Sequence, residues 1–296
     1  MRFDKIRSYA KINISLGVLK KLKTKHHKIE SLVSLIDLYD QIYIKKIKGN
    51  GHKILFDGEF SNGINKKNTV SNLIQILDQK KLLNNEKYLI KIRKNIPLKS
   101  GLGGGSMNAA SILKYLIKKN NIKLKRNDIF KISSKIGSDT ILGLNKSSII
   151  SKELRIKYAK LKSPLHLIII KPDFGCSTKD IYSKVKNFSR TKLKLKSKKF
   201  LSVKFLSKLT NDLENPAFQK YPKLKNIKFS KSTLERCRFE KKIKSKRRVE
   251  QGKKLNEIHT FFSWSTSDFN VISSFFHIFF ESYSYLFASM SNCYHV

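Results

Sequence analysis

Residues 101–106, Gly-Leu-Gly-Gly-Gly-Ser, form the segment whose residue types point most directly to chemistry. Four glycines fall within five positions, after a segment that predicts a strand and before one that predicts a helix. Glycines allow successive backbone N–H groups to point into one concavity, and the following helix adds its free N–H groups and positive dipole end. Such a loop is suited to the phosphates of a nucleoside triphosphate, and the Ser106 hydroxyl can add a donor or a metal contact.

The residues around this segment exclude two familiar phosphate loops. No Gly-Lys-Ser/Thr closes it, so it is not a Walker A loop, and no Val-Ala-Ile-Lys strand follows it, so it is not the protein-kinase loop. A flexible turn without function is the simpler alternative. The strand before the glycines and the strongly apolar helix after them favour a phosphate-binding loop.

Alternating polar and apolar residues predict the strands that must position this loop. Residues 11–16 predict a half-buried strand, and residues 88–93 predict the strand that leads into the loop. Residues 41–48 and 53–56 predict a hairpin, because Gly-Asn-Gly at 49–51 is typical of a turn between paired strands.

Apolar periodicity and capping residues predict the helices. Asn68 precedes an apolar-periodic run and is a good N-cap, so we expect a helix to begin there. Asn127 is expected to cap another helix that ends at Gly137, and Ser177 with Asp180 resembles a capping box. Hairpins and helices are mixed rather than strictly alternating, so the sequence predicts an α+β fold.

The net charge is the most unusual feature of the composition. The 296 residues include 63 Lys and Arg against 21 Asp and Glu, a net charge of +42. This suggests either a polyanionic partner or a compositional bias of the genome. Arg is scarce and the lysines are spread along nearly the whole chain, and both facts favour the compositional explanation.

Several protein classes are excluded by what the sequence lacks. Cys176, Cys237 and Cys293 are far apart and no Cys-x-x-Cys pair exists, which fits a reducing compartment rather than a disulfide scaffold. Residues 1–20 carry no apolar targeting segment, and no stretch reaches the roughly 18 apolar residues of a membrane span. We therefore expect a cytoplasmic protein with no membrane partner.

Residues 96–110, Ile-Pro-Leu-Lys-Ser-Gly-Leu-Gly-Gly-Gly-Ser-Met-Asn-Ala-Ala, resemble the second motif of the GHMP kinases. Within that superfamily they are most similar to the branch of the non-mevalonate isoprenoid pathway, which phosphorylates a cytidine diphosphate-linked methylerythritol. The resemblance runs from about residue 7 to residue 228. Its further segments are Ala-Lys-Ile-Asn at 10–13, His-His at 26–27, Gly-Ser-Asp at 137–139, residues 172–182 and Asn-Asp-Leu-Glu at 211–214.

The resemblance implies a two-domain architecture, with an N-terminal ribosomal-protein-S5-like ATP domain and a C-terminal ferredoxin-like domain. It implies transfer of the γ-phosphate of ATP to the 2-hydroxyl of the substrate, with Mg²⁺ accompanying ATP. The residues that it assigns to ATP binding are Asn68, Pro97, Leu98, Lys99, Ser100, Gly101, Leu102, Gly103, Gly104, Gly105, Ser106 and Met107. No metal ligand is assigned beyond Ser106.

Five further residues receive roles from the resemblance. Asp139 would accept or orient the hydroxyl proton, and Lys11 would lie beside it and keep it ionised. Asn13 would hydrogen-bond the substrate, His27 would pair with the cytosine edge, and Tyr182 would stack on the base. Each has a simpler alternative, such as a helix cap for Asp139, a surface histidine for His27 and helix packing for Tyr182.

The chain departs from the family pattern in its C-terminal part. The third family motif, a glycine- and serine-rich loop, has no counterpart, and Thr140-Ile141 replaces the usual Val-Pro. After about residue 229 the local patterns stop agreeing with one another, so we hypothesise a shifted reading frame there. The predicted division is an ATP domain at 1–155, a partial and incomplete substrate domain at 156–228, and an anomalous tail at 229–296.

Three alternative functions remain open at this point: another small-molecule GHMP kinase, an inactive product without the third motif, and a basic nucleic-acid-binding protein. The last lacks any recognisable nucleic-acid-binding signature. We expect a small-molecule substrate, no nucleic-acid partner, and a monomer or homodimer.

Overall fold

The computed structural model describes residues 2–22, 27–145, 149–152, 155–158, 160–161, 166–170, 174, 176–191, 193, 200–206, 208–225, 278–281 and 284–289. The chain divides into two compact units. Unit 1 contains Met1–Ile12, Leu32–Ile150 and Ile156–Lys160, and unit 2 contains Asn13–Ser31, Ser151–Arg155 and Leu161–Val296.

Strands and helices are mixed along the chain, which confirms the α+β class. The strands are β1 (Asp4–Lys21), β2 (His27–Ile47), β3 (Lys53–Asp57), β4 (Lys87–Arg93), β5 (Ile149–Lys152), β6 (Arg155–Tyr158), β7 (Lys160–Leu161), β8 (His166–Ile170), β9 (Phe200–Leu201), β10 (Ile278–Glu281) and β11 (Ser284–Ser289). The helices are α1 (Thr69–Gln79), α2 (Gly104–Lys119), α3 (Arg126–Ile136), α4 (Thr140–Gly143), α5 (Thr178–Ser183), α6 (Val203–Leu206) and α7 (Glu214–Lys220).

The main sheet has the strand order β3-β4-β2-β5-β6, with β1 also paired to β2. The predicted hairpin of residues 41–48 and 53–56 is therefore wrong. β4 lies between β2 and β3, antiparallel to β2 and parallel to β3. Burial explains this order, because Ile90 and Ile92 of β4 are fully buried and suit a central strand, whereas β3 leaves Leu55 50% exposed and suits the edge.

The predicted strand at residues 11–16 is confirmed, but its half-buried character is wrong. The strand exists within β1, but all six residues are buried. The polar side chains that suggested a solvent face are themselves buried groups: Lys11 is 1% exposed, Asn13 6% and Ser15 5%. Buried polar groups require partners, and Lys11 has one in Asp139.

Helices α1 to α3 form the core of unit 1 together with the sheet. Leu73 and Leu77 of α1 and Ile112 and Leu116 of α2 are fully buried in one cluster with Ile90 and other sheet residues. Such apolar faces at helical spacing are what bury a helix against a sheet.

Two predicted capping residues of these helices have different outcomes. Asn68 caps α1 as predicted, and its side chain accepts hydrogen bonds from two backbone N–H groups of the first turn. The predicted cap at Asn127 is wrong, because α3 begins at Arg126, after Lys125. Its end at Gly137 is confirmed.

Unit 2 has a core of its own. Leu16 and Val18 of β1 pack with Ile181 of α5 and with Ala217 and Phe218 of α7. The predicted cap of α5 is confirmed, since the Ser177 side chain accepts a hydrogen bond from the backbone N–H of Asp180.

Two smaller sheets complete the described strands. β10, β11 and β8 form a three-stranded antiparallel sheet, and β7 pairs with β9. Every helix in the described part of the chain is too short or too polar to span a membrane.

Candidate active site

A buried lysine and a partly exposed aspartate meet in unit 1. Lys11 lies in β1 and is 1% exposed, and its Nζ is 3.4 Å from Oδ2 of Asp139, whose side chain is 31% exposed. Burial lowers the pKa of Lys11, and attraction to Asp139 opposes that shift. The structure thus places a cation and a carboxylate together where only the carboxylate meets solvent.

Asp139 is not used as a helix cap. It directly precedes α4, but its side chain makes no capping hydrogen bond to that helix. The simpler alternative raised by the sequence therefore fails, and the carboxylate is directed to Lys11 instead.

The glycine loop adopts backbone conformations that favour glycine. The φ angles of Gly101 and Gly103 are +73° and +71°, in the left-handed region. A Cβ at Gly103 would lie 2.9 Å from Cγ of Lys11, so glycine also makes room for the lysine stem. The backbone N–H of Lys11 donates to the carbonyl oxygen of Leu102 at 3.0 Å, which ties the lysine to the loop.

The N-terminus of α2 continues the loop without a side-chain cap. Gly103 is the N-cap, and it has no side chain to satisfy the first backbone N–H groups of the 16-residue helix. Such groups are available to an anion. Gly137 lies against this turn, because a Cβ there would be 3.1 Å from Oγ of Ser106. The Gly-Ser-Asp segment that ends at Asp139 is thereby held beside the loop.

Asn68 and Thr69 hold the start of α1 next to the loop. Oδ1 of Asn68 accepts hydrogen bonds from the N–H groups of Val70 and Ser71, at 3.0 and 3.1 Å. The Thr69 hydroxyl donates to the carbonyl oxygen of Gly105 at 2.8 Å. The Asn68 oxygen is therefore engaged in capping, and its predicted contact with ATP stays a prediction.

The other residues predicted to bind ATP differ in exposure. Ser100, Leu102 and Met107 are buried, so they offer little surface for a nucleotide to contact. Lys99 and Gly105 are exposed. The partly buried members are Pro97, Leu98, Gly101, Gly103, Gly104 and Ser106.

The three residues predicted to bind the substrate lie in unit 2. The rings of His27 and Tyr182 stack, with centroids 5.0 Å apart and planes inclined by 28°. Tyr182 also packs against the core of unit 2. Asn13 lies in β1, two residues after Lys11, and is 6% exposed. The structure thus brings His27 and Tyr182 together.

Three residues that the sequence analysis did not single out lie beneath the loop. Asp40 and Lys94 form a buried ion pair, and the Asn108 amide donates to the same carboxylate at 2.9 Å. Asp40 lies in β2, Lys94 directly follows β4, and Asn108 lies in α2. No local pattern predicts such a cluster, because its members are far apart in the sequence.

Within the described ranges, no group of three or more His, Cys, Asp or Glu side chains is arranged to hold a metal ion. The Ser106 hydroxyl and the Asp139 carboxylate are oxygen donors at the loop. Such a sparse oxygen set fits Mg²⁺, which is commonly bound through one or two protein ligands together with substrate phosphates.

The fold and the loop define a class of proteins, the small-molecule kinases of the GHMP type. The family model of the GHMP kinase N-terminal domain matches residues 68–149, which include the glycine loop and Asp139. A crystal structure of 4-(cytidine 5'-diphospho)-2C-methyl-D-erythritol kinase shares the fold, with a TM-score of 0.61 at 21% identity. That similarity covers 76% of this chain and 81% of the other.

Two relatives specify the family within this class. The 4-diphosphocytidyl-2-C-methyl-D-erythritol kinase of Pelagibacter ubique is 53% identical over 229 residues, which are 77% of this chain and 81% of the relative. The kinase of the same name from Caldanaerobacter subterraneus is 33% identical, over 78% of this chain and 81% of its own. The chain belongs to the 4-diphosphocytidyl-2-C-methyl-D-erythritol kinase family.

Proposed function

We propose that this protein transfers the γ-phosphoryl group of ATP to the 2-hydroxyl of 4-diphosphocytidyl-2-C-methyl-D-erythritol, a step of isoprenoid precursor synthesis. The observation that carries the proposal is the ion pair of buried Lys11 with Asp139, which lies beside the glycine loop and the N-terminus of α2, where no side chain caps the helix. Membership of the kinase family supports the same reaction. A cytoplasmic location and the absence of a nucleic-acid partner stay predictions from the sequence.

The loop and Lys11 supply positive charge to the transferred phosphoryl group. Phosphoryl transfer depends mainly on positioning and on neutralising charge at the equatorial oxygens. The free N–H groups at the start of α2 would bind the phosphates, and the Lys11 ammonium would face the oxygens nearest Asp139. In this arrangement Lys11 needs no reorganisation, because the strand and Gly103 already hold it in place.

Asp139 is placed to orient the nucleophile. Its carboxylate would accept the proton of the 2-hydroxyl as that oxygen forms a bond to the γ-phosphorus and the bond to ADP breaks. Lys11 at 3.4 Å holds the carboxylate in position through the ion pair. Mg²⁺ would be held by Ser106 together with the phosphates, and it would neutralise charge there.

His27 and Tyr182 would recognise the cytosine. A pyrimidine presents a polar edge and an aromatic face, and an imidazole with a phenol can address one each. The proximity of the two rings supports this role, because with centroids 5.0 Å apart they lie close enough for one ligand to contact both. Asn13 would donate to or accept from a substrate oxygen.

The test is release of ADP by purified protein with ATP and the cytidylyl substrate. We expect turnover by the wild type and a loss of about 10²-fold or more in Asp139→Asn, which keeps the shape but removes the charge. Asp57→Asn is the matched control, because Asp57 is an exposed aspartate of β3. We expect the activity of this variant to equal that of the wild type. Full activity in Asp139→Asn would contradict the assigned role.

A substrate panel separates this proposal from the other kinases of the class. We expect turnover with the cytidylyl substrate and none with homoserine or mevalonate, since neither has a base for His27 and Tyr182 to contact. Turnover of homoserine or mevalonate, without turnover of the cytidylyl substrate, would instead favour another small-molecule GHMP kinase. Binding of RNA or duplex DNA without any ATP turnover would favour the nucleic-acid alternative.

We also propose that residues 229–296 derive from a shifted reading frame. Only one glycine, Gly252, follows Gly175, and the glycine-rich third motif is missing. Translation of the coding DNA in all frames tests this: a glycine- and serine-rich loop in another frame is expected, and its absence from every frame would contradict the proposal.

A further inference from the structure

A cluster of three buried polar side chains, Asp40, Lys94 and Asn108, lies at the base of the glycine loop, and we name it the loop clamp. Their exposed fractions are 0%, 2% and 1%. Burial lowers the pKa of Lys94, while the neighbouring Asp40 carboxylate raises it. An ion pair removed from water to this degree needs further hydrogen bonds to persist.

The Asp40 carboxylate supplies those bonds through both oxygens. Oδ1 accepts hydrogen bonds from the backbone N–H groups of Asn95 and Ile96, each at 2.8 Å. Oδ2 accepts from the Lys94 ammonium and from Nδ2 of Asn108. A carboxylate offers about four lone-pair positions, so Asp40 is fully used.

The partners of Asp40 stand on both sides of the glycine loop. Asn95 and Ile96 lie on the segment that enters the loop from β4, and Asn108 lies in the helix that leaves it. The contact continues under the loop itself, because a Cβ at Gly104 would be 3.2 Å from Nζ of Lys94. One carboxylate therefore joins the entrance and the exit of the loop.

We propose that the loop clamp positions the glycine loop for nucleotide binding, an inference that rests on the proposed function. Four glycines give the loop little stiffness of its own, so its shape depends on how its two ends are held. Asp40, Lys94 and Asn108 are positioning residues, since they act through the backbone N–H groups of the loop.

Asn108→Leu is the variant that tests the clamp most directly. It removes the tie to α2 but leaves the ion pair and the two backbone hydrogen bonds of Asp40 in place. Asn120→Leu is the matched control, because Asn120 stands at the other end of the same helix and also accepts one side-chain hydrogen bond, from Tyr88. Asn108→Ala serves if the leucine is too bulky to fold.

Kinetics give the first readout. We expect Asn108→Leu to raise the KM for ATP about tenfold or more, because small displacements of a positioning group are costly, while the KM for the cytidylyl substrate stays unchanged. Asn120→Leu should leave both values within about twofold of the wild type. If Asn108 has a purely structural role, both variants should have a lower melting temperature and the KM for ATP should stay unchanged.

Hydrogen exchange gives a second readout that needs no catalysis. In the ligand-free full chain, amides of residues 101–107 should exchange faster in Asn108→Leu than in the wild type or Asn120→Leu, because the clamp restrains the loop. Equal exchange in all three proteins would overturn the clamp. Failure of the wild type to bind a non-hydrolysable ATP analogue would instead overturn the proposed function, and the exchange comparison would still decide the clamp.

Discussion

Two buried lysines, each paired with an aspartate, flank the same glycine loop, and they differ in what surrounds the aspartate. Asp139, the partner of Lys11, is 31% exposed, whereas Asp40, the partner of Lys94, has no exposure. Asp40 has all its oxygen positions engaged by protein donors, and Asp139 makes no capping bond. We call Lys11–Asp139 the open pair, because part of the Asp139 carboxylate is exposed and could contact a ligand. We call Lys94–Asp40 the closed pair, because protein donors occupy every hydrogen-bonding position of the Asp40 carboxylate.

The difference shows why a buried lysine is not by itself a sign of catalysis. Burial lowers the pKa of both Lys11 and Lys94, and an aspartate opposes the shift in each. What separates them is whether the carboxylate can meet another molecule. This difference is why we propose the first pair for the reaction and the second for support of the loop.

Replacing each lysine by methionine should separate the two roles most strongly. Lys11→Met removes the cation that we propose for the transferred phosphoryl group, so we expect activity to fall by about 10²-fold or more. Its stability should stay close to that of the wild type, because a buried ammonium is replaced by an apolar chain of similar length and Asp139 remains partly exposed.

Lys94→Met should show the opposite balance. It leaves the Asp40 charge buried without its cation, and breaking such a pair costs about 3–5 kcal/mol of unfolding free energy. Chemical denaturation of both variants and ADP release by each are the measurements. The comparison fails if Lys94→Met is as stable as the wild type, or if Lys11→Met retains full activity.

Local patterns in the sequence predicted the parts of the site that depend on neighbouring residues. The glycine loop, the Asn68 cap and the Ser177 cap each follow from a few adjacent positions, and all three are present. The pairing of Lys11 with Asp139 was expected only through the resemblance to a kinase family, because they come from distant parts of the chain.

The parts that were missed depend on long-range contacts. Asp40 is 54 residues from Lys94 and 68 from Asn108, so no period or capping rule relates them. The wrong hairpin has the same cause. β4 lies between β2 and β3 although it follows both in the sequence, because its apolar residues are buried there. The polar residues among 11–16 suggest a solvent-facing side of the strand. They are buried instead, by residues far away in the sequence.

Gly103→Ala would test whether the loop and the open pair act together. Alanine at φ +71° costs roughly 1–2 kcal/mol of strain, and its Cβ would also lie 2.9 Å from Cγ of Lys11. We expect lower stability and lower activity, because Lys11 must move. Gly63→Ala is the control, since φ there is +83° but nothing lies within 4 Å of the added Cβ. Equal activity in both variants would show that contact with Lys11 does not matter.

The smallest expected effect is a pH dependence of stability that Lys11 contributes. Burial lowers its pKa in the folded protein below the ordinary lysine value of 10.5, so between the lowered pKa and 10.5 the unfolded chain binds the proton more tightly. Stability from Lys11 therefore rises with pH across that window, by at most about 1.4 kcal/mol per pH unit. Other groups also titrate in this pH range, but both the wild type and Lys11→Met contain them, so their contribution cancels in the difference. The difference in unfolding free energy between wild type and Lys11→Met should consequently grow as the pH is raised. A flat difference would mean that attraction to Asp139 cancels the effect of burial, so that Lys11 holds its proton as firmly as an exposed lysine, and a falling difference would mean that the attraction outweighs burial.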